Sequence, residues 1–126
     1  MVRSVLVVDD EPNIVLSLEF LMKQAGLEVR TAADGQAALA AVQADVPDLI
    51  LLDISMPNGD GFEVCRKIRE NPVWQNVRII MLTAKGRDSE RERGLAAGAD
   101  DYIIKPFSTH DVIDRVAAQI ETAGTD

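Results

Sequence analysis

Leu49-Ile50-Leu51-Leu52-Asp53-Ile54-Ser55-Met56-Pro57-Asn58-Gly59-Asp60-Gly61 joins an unbroken apolar run to a turn dense in Pro and Gly, with one carboxylate at the junction. An apolar run without alternation reads as a strand buried on both faces, as in parallel sheets covered by helices on each side. Runs of the same kind recur at residues 5–8, 77–82 and 102–104, and a weaker one at 27–31.

Between the runs the apolar period lengthens to that of a helix. Ile14, Leu18, Leu21 and Met22 share one face, with Pro12 suited to the first turn and Gly26 to the stop. Ala37, Ala38, Ala41 and Val42 make a second helix, ended before Pro47. Phe62, Cys65 and Ile68 stripe a third, stopped near Asn71-Pro72. Residues 87–97 form a fourth, polar first and then Leu95-Ala96-Ala97, with Gly98 as its cap. Val112, Ile113, Val116 and Ile120 form a fifth, for which Ser108 and Asp111 offer a local cap. Strand and helix therefore alternate five times. This is an α/β chain, a (βα)5 doubly wound five-stranded parallel sheet with right-handed crossovers and helices on both faces.

Composition narrows the function. The chain has 126 residues, 47% of them hydrophobic and 27% charged, which suits one domain with one buried interior. A net charge of −8 argues against direct nucleic-acid binding, because phosphate backbones require a basic face. No apolar stretch approaches a membrane span, and the amino-terminal run is cut short by Asp9 before it resembles a signal peptide. The expectation is a cytoplasmic protein with no membrane association. A single cysteine, Cys65, excludes an internal disulfide and reads as a buried structural thiol.

In open α/β sheets ligands bind at the carboxyl ends of the strands. Asp9 and Asp10 follow the first run, Asp53 the third, Thr83 the fourth and Lys105 the fifth. Three carboxylates at one edge repel each other unless a cation relieves them, and one lysine does not balance three. A hard divalent ion does, and Mg²⁺ binds through one or two carboxylates together with waters and phosphate oxygens. Phosphoryl transfer is mostly positioning and charge stabilisation, which this set of groups supplies. A carboxylate is itself a competent nucleophile. Asp53, alone at the end of its run, ranks first for that role, and the adjacent Asp9–Asp10 pair suits a metal.

Four segments now stand in order: Val7-Val8-Asp9-Asp10-Glu11, Leu52 through Gly61, Met81-Leu82-Thr83-Ala84, and Gly98-Ala99-Asp100-Asp101-Tyr102-Ile103-Ile104-Lys105-Pro106-Phe107. Together they resemble the receiver domain of bacterial two-component response regulators, both the single-domain chemotaxis type and the receivers of DNA-binding regulators. The resemblance covers the whole chain, so residues 1–126 read as one receiver domain, folded over about 3–121 with 122–126 as a tail. It implies the flavodoxin-like strand order 2-1-3-4-5.

The resemblance also implies roles. Asp53 is the phosphoacceptor, loaded from a phosphohistidine of a sensor histidine kinase or a phosphotransfer protein. Asp10, Asp53 and the backbone carbonyl of Ser55 hold Mg²⁺, and Asp9 acts on it through a water. Lys105 contacts the phosphoryl group and the acceptor carboxylate. Thr83 moves to hydrogen-bond the phosphoryl oxygens, and Tyr102 swings inward with it. The Lys105–Pro106 bond is cis. Ser55 and Lys85 border the approach of water and tune the lifetime of the phosphorylated state. The fourth helix, fifth strand and fifth helix signal to a downstream protein or effector domain. A phosphorylation-dependent homodimer stays open.

Each residue also has a plainer reading. Asp9 or Asp10 suits the cap of the first helix, Thr83 an ordinary strand-end hydroxyl, Lys105 a solvated charge and Tyr102 core filling. These readings weaken jointly, because all must hold at one edge. His110, the only histidine, reads as a surface residue, which argues against a phosphohistidine carrier. Residues 87–93 read as a solvated helix face or a partner surface. A phosphatase resembling the dehalogenase-like enzymes would place a second Asp two residues after the nucleophile, and Ser55 stands there. A receiver-like module unable to take phosphate would have lost Asp10, Asp53 or Lys105, and all are present. The reading is thus a stoichiometric switch and not an enzyme, one that promotes its own phosphorylation and slow autodephosphorylation. No effector segment is recognisable in Glu121-Thr122-Ala123-Gly124-Thr125-Asp126, which leaves open a stand-alone receiver or a part of a longer protein.

Overall fold

The computed structural model describes residues 2–54, 56, 61–83 and 88–123, with the side chains of 88–91 and 122–123 outside that description. Strands β1 (Ser4–Val8), β2 (Glu28–Ala32), β3 (Leu49–Asp53), β4 (Arg78–Thr83) and β5 (Asp101–Ile104) alternate with helices α1 (Pro12–Gln24), α2 (Gly35–Ala44), α3 (Gly61–Glu70), α4 (Asp88–Ala96) and α5 (Thr109–Ala123). All pairings are parallel, in the order β2-β1-β3-β4-β5. The chain reverses direction across the sheet between β1 and β3, so a crevice opens beyond their carboxyl ends.

Alternate side chains explain the continuous runs. Leu6, Val8, Ile50, Leu52, Ile79 and Met81 face the helices α2 and α3, packing with Ala38, Val42, Val64, Cys65 and Ile68. Val5, Val7, Leu49, Leu51, Ile80 and Leu82 face the other way, onto Leu18, Leu21 and Met22 of α1 and Val112 and Val116 of α5. All five residues of β3 are buried. β2 is an edge strand with only Ala32 fully buried, which is why its run is the weakest.

The helix stops follow the chemistry expected of them. Gly26 takes φ +85°, its amide donates to the Lys23 carbonyl, and the Leu27 amide donates to that of Met22. That closes a Schellman turn, so Leu27 belongs to the end of α1 and β2 starts one residue later. Gly98 at φ +110° closes α4 the same way, with Ala99 donating to Gly94. Ser108 Oγ accepts the Asp111 amide at 3.0 Å, the cap expected for α5. Past α3 the chain forms one turn of 3-10 helix at Pro72–Trp74, capped by the Asn71 side chain. That turn has too few residues to leave a periodic signal in the sequence.

Candidate functional site

Four strand ends bring the polar residues together. Asp53 is the last residue of β3 and Thr83 the last of β4, both buried. The Lys105 amide donates to the Thr83 carbonyl, which carries the β4–β5 ladder out to the lysine. The Asp9 amide donates to the Ala32 carbonyl and holds that residue at the same edge. The Lys105–Pro106 bond is cis.

Carboxylate oxygens of Asp9, Asp10 and Asp53 all lie within 4.8 Å of one another, Asp9 and Asp53 buried and Asp10 exposed. Lys105 Nζ donates to Asp9 Oδ2 at 2.8 Å and lies 3.7 Å from both Asp53 Oδ2 and Glu11 Oε1. Burial pushes the Asp9 carboxyl up from its ordinary value, and the nearby Asp53 charge adds to this. The Lys105 hydrogen bond and the Glu11 amide only partly offset it. Burial alone would lower the Lys105 ammonium, but the hydrogen bond to Asp9 and the charges of Asp53, Asp9 and Glu11 outweigh it and raise the pKa. The site therefore holds more negative charge than it can neutralise.

Asp9 does not cap α1, whose N-cap is Glu11 with no side-chain cap bond. Its Oδ1 accepts the Glu11 amide at 3.0 Å in the turn before the helix, and its other carboxylate oxygen faces Lys105. Glu11 itself had no assigned role in the sequence, and its position two residues after Asp9 is the signal that could have found it. Ser55 and Lys85 lie outside the described residues.

Thr83 and Tyr102 line one narrow cavity with Ile54, Met81, Gly94, Leu95, Ala99 and Asp101. Tyr102 is half-buried against the α2–α3 side of the core, with the Arg115 guanidinium 5.5 Å from its ring centroid. Arg115 also donates to Asp101 and Asp111. His110 is exposed and pairs with Asp114 at 3.3 Å, as a surface residue should. Cys65 is fully buried, its Sγ donating to the Ala97 carbonyl, and burial pushes its thiol up to about 11. Within the stretch 87–93, Glu92 and Arg93 are exposed, and the Arg93 guanidinium stacks 4.2 Å from the Phe62 ring. Among the described residues no helix is long and apolar enough to cross a membrane.

Residues 5–117 match the family described as the response regulator receiver domain. The chain is 43% identical over 123 residues to the phosphate regulon transcriptional regulatory protein PhoB of Rhizobium meliloti (strain 1021), covering 98% of this chain and 54% of that relative. It therefore spans about half the length of that protein. Among solved structures it resembles the chemotaxis protein CheY4 of Vibrio cholerae, at 33% identity and TM-score 0.89 over 94% of this chain and 98% of that one. A CheY-like response regulator receiver domain protein of Methanospirillum hungatei JF-1 superposes with TM-score 0.91 at 28% identity, over 98% of each chain. A match over nearly the whole chain, a sheet of the same order and the acidic crevice at its switch point agree: this chain belongs to the response regulator receiver domain family of two-component systems.

Proposed function

We propose that Asp53 accepts a phosphoryl group from a phosphohistidine of a sensor histidine kinase or phosphotransfer protein, and that the phosphoryl group switches the α4-β5-α5 face. The observation that carries this reading is the convergence of three carboxylates within 4.8 Å, with an ammonium 3.7 Å from the buried Asp53 carboxylate. An Asp53 carboxylate oxygen attacks phosphorus, the P–N bond of the donor breaks, and the departing imidazole keeps the electron pair and is protonated. Lys105 leaves its closer contact with Asp9 to meet the new oxygens, and the Thr83 hydroxyl donates to another of them.

The donor set is all hard oxygen with three negative charges, which fits Mg²⁺. Asp10, Asp53 and the Ser55 carbonyl would hold it, Asp9 acting through a water. When bound, it supplies positive charge against the carboxylates and the phosphoryl oxygens. Ser55 and Lys85, flanking the acceptor and Thr83 in sequence, set how readily water reaches the phosphoryl group. The protein acts as a stoichiometric switch with slow autodephosphorylation, since position 55 carries no carboxylic acid to speed turnover.

The donor would approach over α1. Leu16 and Phe20, one turn apart, are 63% and 61% exposed. A groove of about 440 Å³ runs from Val15, Leu16 and Glu19 to Asp9 and Asp10. On the output side, occupation of Thr83 by the phosphoryl group vacates space that Tyr102 fills, shifting the population of the α4-β5-α5 face toward one state. Leu95, Ile104 and Ile113 are exposed on those elements, ready for a downstream protein, an effector domain or a second phosphorylated copy. The setting is cytoplasmic.

The test is incubation with acetyl phosphate, with and without Mg²⁺, followed by intact mass. One added phosphoryl group that requires Mg²⁺ and is absent in Asp53→Asn supports the reading. No adduct on the folded protein from either acetyl phosphate or a phosphorylated kinase overturns it.

A further inference from the structure

The amino-terminal edge of the sheet, opposite the acidic crevice, carries a second set of charges, partly buried. Arg69, at the end of α3, is 18% exposed at its side chain and donates to two other chain segments. Its Nε reaches the Gly98 carbonyl at 2.8 Å, Nη1 the Val77 carbonyl at 2.7 Å, and Nη2 Asp100 Oδ2 at 2.8 Å. The same Asp100 oxygen accepts the Ile79 amide at 2.8 Å, and the Asp100 amide returns a bond to the Ile79 carbonyl. One guanidinium thus ties α3, the approach to β4 and the turn between α4 and β5. Its planar fork serves these directions at once, which a lysine cannot do.

Gly98 belongs to the same tie. A Cβ there would meet Arg69 Cγ at 2.4 Å, and φ +110° excludes most side chains in any case. Gly94, one turn earlier, differs: a Cβ there would sit 3.5 Å from Met81 and 3.7 Å from Phe62, ordinary contact. Among the described residues nothing in the packing demands glycine at 94, yet it lowers the helix propensity of α4. The helix is bound firmly at its carboxyl end, where within the last turn Arg93 rests on Phe62 and Leu95 is 48% exposed.

We propose that the Arg69–Gly98–Asp100 tie is the fixed pivot of α4, so that a displacement at the Thr83–Tyr102 cavity turns the helix about its carboxyl end instead of shifting or melting it. This rests on the phosphoacceptor reading above. Arg69 is then a positioning residue for output, remote from the phosphoryl chemistry.

Amide-resolved hydrogen exchange on the full chain, before and after phosphorylation by acetyl phosphate with Mg²⁺, tests it. In the wild type the Glu92 and Arg93 amides should change about tenfold or more, while Gly98, Ala99 and Asp100 change less than about twofold. In Arg69→Lys the phosphorylation rate should stay within about twofold, but the 98–100 amides should now respond about as strongly as those at 92–93. Gly98→Ala enters the tie from its other side and should act alike. Equal response of the 92–93 and 98–100 amides in the wild type overturns the pivot while leaving the phosphoacceptor reading intact. So does a variant of either kind that folds and keeps the wild-type pattern. Absence of any phosphoryl adduct removes both.

Discussion

The two edges of the sheet both hold buried or partly buried carboxylates beside cations, and they treat the charge in opposite ways. At the amino edge the books close within the chain. Asp100 is met by Arg69, Arg78 and the Ile79 amide, and Asp48 by the Ser4 amide at 2.8 Å and by Arg3. At the carboxyl edge Asp9, Asp10 and Asp53 share Lys105 with Glu11. A closed network rigidifies, whereas one with excess negative charge favours a cation, which under the proposed function would in turn receive the phosphoryl oxygens. The fold thus keeps its stability and its reactivity at opposite ends of the same strands.

The largest effect should come from opening the closed edge. Asp100→Ala takes the carboxylate partner from the partly buried Arg69 guanidinium and the side-chain acceptor from the Ile79 amide, and should cost about 3 kcal/mol in a urea titration. A loss below about 1 kcal/mol would show that the charges at this edge do not depend on one another.

Cys65 sharpens the same point, because it lies within the electrostatic reach of Arg69 and Asp100. Its thiol is raised from 9.0 to about 11, chiefly by burial, with Arg69 lowering it and Asp100 raising it. The folded state therefore holds the proton more tightly than the unfolded one. Stability is full below pH 9 and declines as pH rises toward 11, by on the order of 2 to 3 kcal/mol. Cys65→Ala should flatten that decline in stability measured between pH 8 and 11, and an unchanged slope would assign it to other groups.

At the open edge the effects are smaller and of the other sign. Mg²⁺ at ten times its dissociation constant should stabilise the protein by about 1.4 kcal/mol, a rise of several degrees in Tm. Asp10→Asn should remove that rise. An equal Mg²⁺ response in wild type and Asp10→Asn would place the ion elsewhere.

The smallest expected effect is that of Asp10→Asn without metal. Relief of repulsion should stabilise the fold by no more than about 0.5 kcal/mol, because Asp10 is exposed and screened. A clear loss of stability instead would mean that the carboxylates are already balanced, and the contrast between the edges would fail.

Much of the site was legible in the sequence because a parallel sheet leaves a simple trace. Strands buried on both faces appear as continuous apolar runs, and the residue that ends each run must sit at one edge. Asp9, Asp53, Thr83 and Lys105 could thus be grouped across nearly a hundred residues of chain. The weaker parts have physical reasons. β2 is an edge strand with little to bury, and its start was obscured because Leu27 completes the turn that ends α1. The turn at Pro72–Trp74 is too short for periodicity.

The sequence by itself determined the alternation of strands and helices, their stops at Gly26 and Gly98, and which polar residues end the strands, since these depend on local pattern and backbone preference. Tertiary structure alone decided how charge is shared among those residues. Lys105 sits nearer Asp9 than Asp53, Glu11 joins it, and Arg69 reaches Gly98 and Asp100 some thirty residues away. Such pairings depend on distances of a few ångströms between segments remote in the chain, and no periodicity or propensity encodes them.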